Sequence, residues 1–376
     1  MSSTKLKPAN IVSLDASKLT GVMPAISGAN LTGVAPFTVS ASDPVVTTNP
    51  SGGLGTLWMN STSGETYILT DATAGENVWT NVGTGEGDVA PYTFQGTVSG
   101  FTAGGRTPNK NVIDKFSFTS DGNATDHGDL HTTFGYSAGQ SSETHGYIAG
   151  VYQNGDTIGK FAFVSNTTGD DVGNLTVGRD AGAGQSSSTH GYTSGGNNPT
   201  STNVIDKFTF ASNANATDVG DTTIVNAFQA GQSSTTDGYV SGGWNTTPSS
   251  GQNRIDKFSF ASNGNASNIG NITVTRGYMA GQSSSTHGYT SGGYNPSLQN
   301  VIDRFTFASN NNATDVGDLT GTRGHQTGTS STTHGYLSGG SSSSDVIEKF
   351  QYAASANATD VGDVTVGRYG PAGSQY

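Results

Sequence analysis

The chain contains no cysteine, so neither a disulfide framework nor a thiolate metal site is available to it, and nothing marks its redox compartment. Charge is also scarce: Asp, Glu, Lys and Arg make up 12% of 376 residues, and the formal net charge is −12. This balance argues against nucleic acid or an anionic membrane as partner, because phosphate binding depends on Lys and Arg releasing counterions. No stretch approaches the roughly 20 apolar residues of a membrane span. The N-terminus "MSSTKLKPANIVSLDASKLTG" lacks a basic start followed by an apolar run, so neither membrane insertion nor signal-driven export is expected. What is plentiful is glycine, 55 residues, with Ser, Thr and Asn. These favour turns and strands over helices, which points to an all-β fold held by packing and hydrogen bonds. In such a composition the Asn-x-Ser/Thr triplets at Asn60, Asn123, Asn166, Asn215, Asn312 and Asn357 arise by chance and are not read as glycosylation sites.

Internal repetition dominates the rest. Strand-like runs begin at Ile113, Ile158, Ile205, Ile255, Ile302 and Ile347 ("IDKFSF", "IGKFAF", "IDKFTF", "IDKFSF", "IDRFTF", "IEKFQY"), spaced by 45, 47, 50, 47 and 45 residues. Apolar and polar residues alternate within each run, the period of a strand with one buried face. A polar turn such as "SNANATDVG" follows, then a short strand, then "AGQSS", then "HGYTSGG". Each repeat therefore supplies four short strands, the size of a propeller blade, and six repeats imply six blades whose faces are buried only by their neighbours. The chain ends "RYGPAGSQY", placing Ala372 to Gln375 where other repeats have "AGQSS", whereas the first repeat lacks its own copy. The last strand is expected to complete the first blade.

The Gly pair ending "GYTSGG" (Gly292, Gly293), the acid in "VIDRF" (Asp303) and the Arg closing the fourth strand (Arg323) resemble the kelch repeat, over about 285 residues. The resemblance implies a six-bladed kelch-like β-propeller, assigned to residues 89–376.

His145, His190, His287 and His334 occupy one repeat position, with Asp237 replacing the histidine in one unit. Residues copied from blade to blade are spread around a ring, so they are expected to make structural hydrogen bonds in the turn "SSSTHG" rather than converge on a substrate. The repeated "NATDVGD" (Asp126, Asp129, Asp218, Asp221, Asp315, Asp318, Asp360, Asp363) could suggest calcium, but it lacks the alternating Asp spacing of a dedicated loop and is read as an Asx-type turn. No cofactor is expected; calcium is the disfavoured alternative.

Positions constant across six copies serve the fold; those that vary are free to recognise something. Variation is concentrated after the Gly pair ("RTPNKN", "YQNGDT", "NNPTSTN", "WNTTPSSGQNR", "YNPSLQN", "SSSSD") and at the joins between blades. Both kinds of loop should emerge on one rim. The ligand-binding candidates there are Trp244, Tyr294, Tyr278, Tyr152, Phe228, His325, Arg179, Arg276 and Arg323: aromatic rings for stacking on sugars, and Arg for hydroxyls.

Upstream, "KLTGVMPAISGANLTGVAPFT" repeats Leu19, Gly21 and Pro24 at Leu31, Gly33 and Pro36, twelve residues on. This resembles bacteriophage tail-fibre shaft repeats, which implies a fibre-like attachment segment over residues 1–40, homotrimerisation, and other virion proteins as partners. Residues 41–88 alternate apolar and polar residues around Gly-rich turns, carry Trp58 and Trp79, and are expected to form a small β-module ending in a Gly-rich linker. The ensemble resembles virion appendage proteins of marine phages. It implies location on the virion exterior and a propeller that binds a host-surface glycan or protein. Two alternatives stand beside it: a scaffold that binds another virion protein, and a glycan-cleaving enzyme. Glycosidases use paired carboxylates. Glu is limited to Glu143 and Glu348 in the repeats, and no acid pair stands out from the repeated Asp set, so a non-enzyme is expected.

Overall fold

The computed structural model describes residues 37–82, 93–153, 155–166, 168–246 and 249–376. Contacts divide the chain into two units, Met1–Pro91 and Tyr92–Tyr376. The fibre-like repeats and the linker "GTGEGDVAP" lie outside the described residues, and no α-helix occurs among those described.

The first unit contains one four-stranded sheet: β1 (Phe37–Ser40), β2 (Leu57–Asn60), β3 (Thr66–Asp71) and β4 (Val78–Asn81). β1 runs parallel to β2; the other pairs are antiparallel. The first described strand of this sheet, at Phe37–Ser40, lies ahead of the expected boundary at 41. Tyr67, Leu69 and Trp79 form its core, with Trp58 edge-on to Trp79 at 5.8 Å.

The second unit holds six four-stranded antiparallel sheets in a propeller-like arrangement. Their innermost strands are Ala372–Gln375, Ala138–Ser141, Ala183–Ser186, Ala230–Ser233, Ala280–Ser283 and Thr327–Ser330, and each borders the next in a closed cycle. In every sheet but the first, the four strands lie in sequence order; the first takes its innermost strand from the C-terminus, with Ala372 opposite Ala103 and Gln375 opposite Gly100. The expected closure is present.

The cycle is tight because of glycine. An added Cβ on Gly139, Gly184, Gly231, Gly281, Gly328 or Gly373 would collide with the carbonyl oxygen of the equivalent glycine next door. Any side chain here would push the six strands apart.

Apolar burial happens between sheets. The run-initiating isoleucines are 0% exposed. Second-strand rings pack on third-strand rings of the following sheet: Tyr147 on Phe208, Tyr192 on Phe258, Tyr239 on Phe305, Tyr289 on Phe350, Tyr336 on Phe116 and Phe101 on Phe161, at 5.3–5.6 Å. No sheet could bury these rings alone.

Polar ties repeat with the same register. The amides of Asn174, Asp221, Asn271, Asp318 and Asp363 donate to the side-chain oxygens of Asn215, Asn265, Asn312, Asn357 and Asn123 in the next sheet, at 3.0–3.1 Å. Asp126, Asp218, Asp315 and Asp360 accept from the amide two residues on, which is the Asx turn. The four repeated histidines place Nδ1 2.8 Å from the preceding Thr hydroxyl, in turns pinned by Ser142, Ser187, Ser284 and Ser331.

Candidate functional site

Two residues before each innermost strand the backbone enters the left-handed region: Tyr136, Ala181, Phe228, Tyr278, His325 and Gly370 have φ between 54° and 64°. Each donates its amide to the carbonyl of its predecessor in the ring: Tyr136 to Gly370, Ala181 to Tyr136, and so on to Gly370 donating to His325, at 2.6–2.9 Å. Five non-glycine residues thus hold a conformation that costs about 1 kcal/mol each or more and persists only where surroundings enforce it. The cycle closes around the axis and brings five side chains and Gly370 to one spot.

Four of these are rings, and they meet. Phe228 and Tyr278 are 4.1 Å apart, Tyr278 and His325 4.2 Å, Tyr136 and Phe228 5.4 Å, and Tyr136 and His325 5.6 Å. Tyr136 lies over Gly370, where any side chain would displace it. Below the rings is an axial pocket of about 120 Å³ lined by the first residues of the innermost strands.

An outer ring comes from the residues after the Gly pairs. Arg106, Asn197, Trp244 and Tyr294 bridge backbone to backbone with Tyr369, Asp180, Ala227 and Gly277, which precede the inner ring. Glycine at two join positions makes room: Gly135 for the Arg106 stem and Gly277 for Trp244. Trp244 reaches Tyr294 (5.9 Å) and Tyr278 (6.1 Å), Tyr369 stacks on His325 (4.1 Å), and the Arg106 guanidinium lies 3.5 Å over Tyr152 and 5.0 Å from Tyr136. The long hairpins His190–Asn198/Thr200–Thr209 and Asp237–Thr246/Ser249–Ser259 rise beside this face and touch through Ser201 and Thr246 hydroxyls at 3.0 Å.

The two loop sets therefore share one face, and Trp244, Tyr294, Tyr278, Tyr152, Phe228 and His325 come together on it. The arginines do not. Arg179 and Arg276 are 1% and 0% exposed, and pair with Asp206 (3.0 Å) and Asp303 (2.9 Å) of the next sheet. Arg323 pairs with buried Glu348 at 3.1 Å, its side chain 13% exposed. A cation placed between sheets satisfies a buried acid, so these three are structural and leave the ligand-binding set. Arg368 does the same for Asp114. Tyr136, Tyr369, Arg106 and Asp180 also belong to the site; the sequence marks them as variable positions, although they stand outside the ligand-binding candidates. The available signal was their position in the same variable columns.

Electrostatics at this face are mild. Burial, with Arg106 adding to it, pushes His325 down to about 3, so its imidazole is neutral at ordinary pH. Burial raises the Tyr136 hydroxyl and pushes Tyr278 up to about 12. Asp180, 5% exposed, is pushed up to about 6. Asp114, Asp206, Asp303 and Glu348 are held by arginines between sheets, and among the described residues that line the pocket there is no acid pair of the kind glycoside cleavage uses. Among the described residues no group of three metal-ligating side chains is gathered.

The far end of the axis differs. Gln95 donates to the Ser283 carbonyl, Gly96 to the Ser330 carbonyl and Gln375 to the Phe94 carbonyl, each at 2.9 Å, so the segment entering the unit covers the C-terminal ends of the innermost strands.

No family model matches the chain, and no curated protein does. Among solved structures it is similar to one titled "Structure of YjhT", at 12% identity over 65% of this chain and 88% of that one, with a TM-score of 0.55. At that identity the likeness shows the fold alone: an all-β, propeller-like architecture.

Proposed function

We propose that residues 92–376 form a six-bladed kelch-like β-propeller and that its axial aromatic face binds a surface glycan, as the distal part of a phage virion appendage. The carrying observation is the convergence of Tyr136, Phe228, Tyr278 and His325 with Tyr152, Trp244, Tyr294 and Tyr369 on the end of the axis that the chain's own lead-in leaves uncovered. Aromatic faces stack on the apolar faces of sugar rings and lose little entropy in doing so. The fibre-like repeats before residue 37 support the appendage role, with residues 1–40 joining other virion proteins and trimerising. Within this unit Phe94–Gly96 lie at the end of the axis opposite the aromatic face, which leaves that face free for a ligand. With no facing acid pair, the face binds and does not cleave.

The test is retention of the full chain on immobilised glycans and host cells, with Trp244→Ala/Tyr294→Ala as comparison. Binding by the wild type, at least about tenfold weaker in the variant with unchanged melting, is expected. Product release from the glycan would make the protein an enzyme, and adhesion to virion proteins alone would make it an assembly module.

A further inference from the structure

Ala181 is the one short non-glycine member of the inner ring, and the notch it leaves has polar walls. Asp180 stands beside it, and the hydrogen bond its carboxylate receives from the Gln153 amide is long, at 3.4 Å. Asn197 is joined to Asp180 by two backbone hydrogen bonds, 2.8 and 3.2 Å, and its side-chain oxygen has no partner. Arg106, stacked on Tyr152, forms no ion pair among the described residues and brings N–H donors to the same corner. Acceptors and donors thus lie side by side next to aromatic rings.

Building on the glycan reading above, we propose that this notch is the hydroxyl-recognising subsite and that the ligand is a neutral sugar. Adjacent ring hydroxyls donate to the Asp180 carboxylate and the Asn197 oxygen and accept from Arg106, with Tyr152 and Tyr136 flanking the sugar. A hydroxyl both donates and accepts, which suits a mixed corner. An acidic sugar would bring a second carboxylate against Asp180 with Arg106 shared between the two. Around Asp180, burial raises its pKa to about 6 while the Gln153 amide and Arg106 act against that rise. The neighbouring Arg179 is engaged with Asp206, and His325 is uncharged. Above that pH the carboxylate is ionised and accepts strongly. Protonation turns one of its oxygens into a donor and leaves the other a weaker, uncharged acceptor, so affinity falls as pH drops through about 6.

The experiment measures full-chain binding to neutral polymers (mannan, galactan, β-glucan) and acidic ones (polysialic acid, polygalacturonate) between pH 5 and 8. The wild type should hold a neutral polymer and lose about tenfold or more in affinity on acidification, the size expected for a charged hydrogen bond. Asp180→Asn should bind weakly at every pH, and Asn197→Ala gives an independent reading if Asp180→Asn fails to fold. Preference for acidic polymers, or neutral binding that neither variant weakens, overturns the subsite. Neutral binding abolished in Trp244→Ala/Tyr294→Ala but intact in both notch variants would sink the notch while keeping the aromatic face. No binding to any polymer would sink both.

Discussion

Arg276 and Tyr278 stand two residues apart and meet opposite fates: the guanidinium is sealed between sheets, and the ring sits at the axis. Arg179 before Ala181 and Arg368 before Gly370 are buried in the same way beside a ring position that carries no aromatic side chain, and Arg323 before His325 pairs likewise but stays 13% exposed. The first column answers to a partner. Where the third-strand acid is replaced by Gly159, the arginine position holds Phe134, whose ring lies 3.1 Å from where a Gly159 Cβ would be. Where Asn226 stands instead, Asp256 is held by Thr223 at 2.6–2.8 Å and the Asn226 amide turns to the Gly242 carbonyl. The second column answers only to a backbone ring that any residue able to adopt positive φ can join, and so it runs Tyr, Ala, Phe, Tyr, His, Gly. A repeat protein can thus hold one column fixed for folding and leave its near neighbour free for recognition.

Perturbing the scaffold side of this contrast should cost most. Deleting Ala372–Tyr376 removes the innermost strand of the first sheet, the Gly373 link of the axial cycle and the Tyr376 ring stacked on Phe163; cooperative unfolding, followed by calorimetry, should be lost. A sharp two-state transition in the truncated chain would mean that closure is dispensable. Next comes Asp303→Ala, which strands the buried Arg276 guanidinium and leaves Thr273 without its acceptor. Denaturant unfolding should report a loss of about 3–5 kcal/mol. A change under about 1 kcal/mol would place the belt among weak surface pairs. At the small end, the Trp244→Ala/Tyr294→Ala variant should melt almost as the wild type does, because the Trp244 indole donates only to Ser249 of its own hairpin.

Much of the scaffold was legible. The period-two runs, the turn phrases and the displaced copy of the innermost strand are local or directly repetitive signals, and they pointed to six four-stranded sheets with Ala372–Gln375 completing the first. The arginines misled because their partners lie in the following repeat: Arg179 is bound to Asp206 and Arg276 to Asp303, a pairing with no local signature. The joint departure at Phe134 and Gly159 was the one clue that the two columns belong together. The site was half legible. Variation marked these loops, but only the ring of left-handed residues shows that Tyr136 reaches across to His325 and that Ala181 stands next to the Asp180–Asn197 bridge.

Hydrogen–deuterium exchange of the full chain with and without a bound neutral glycan most directly asks which column recognises and which supports. Protection confined to residues 104–110, 134–137, 151–153, 179–182, 196–198, 226–229, 243–246, 276–279, 293–295, 323–326 and 368–370 is predicted. Protection centred on the histidine turns at 142–145, 187–190, 284–287 and 331–334, at the far ends of the innermost strands, would contradict it.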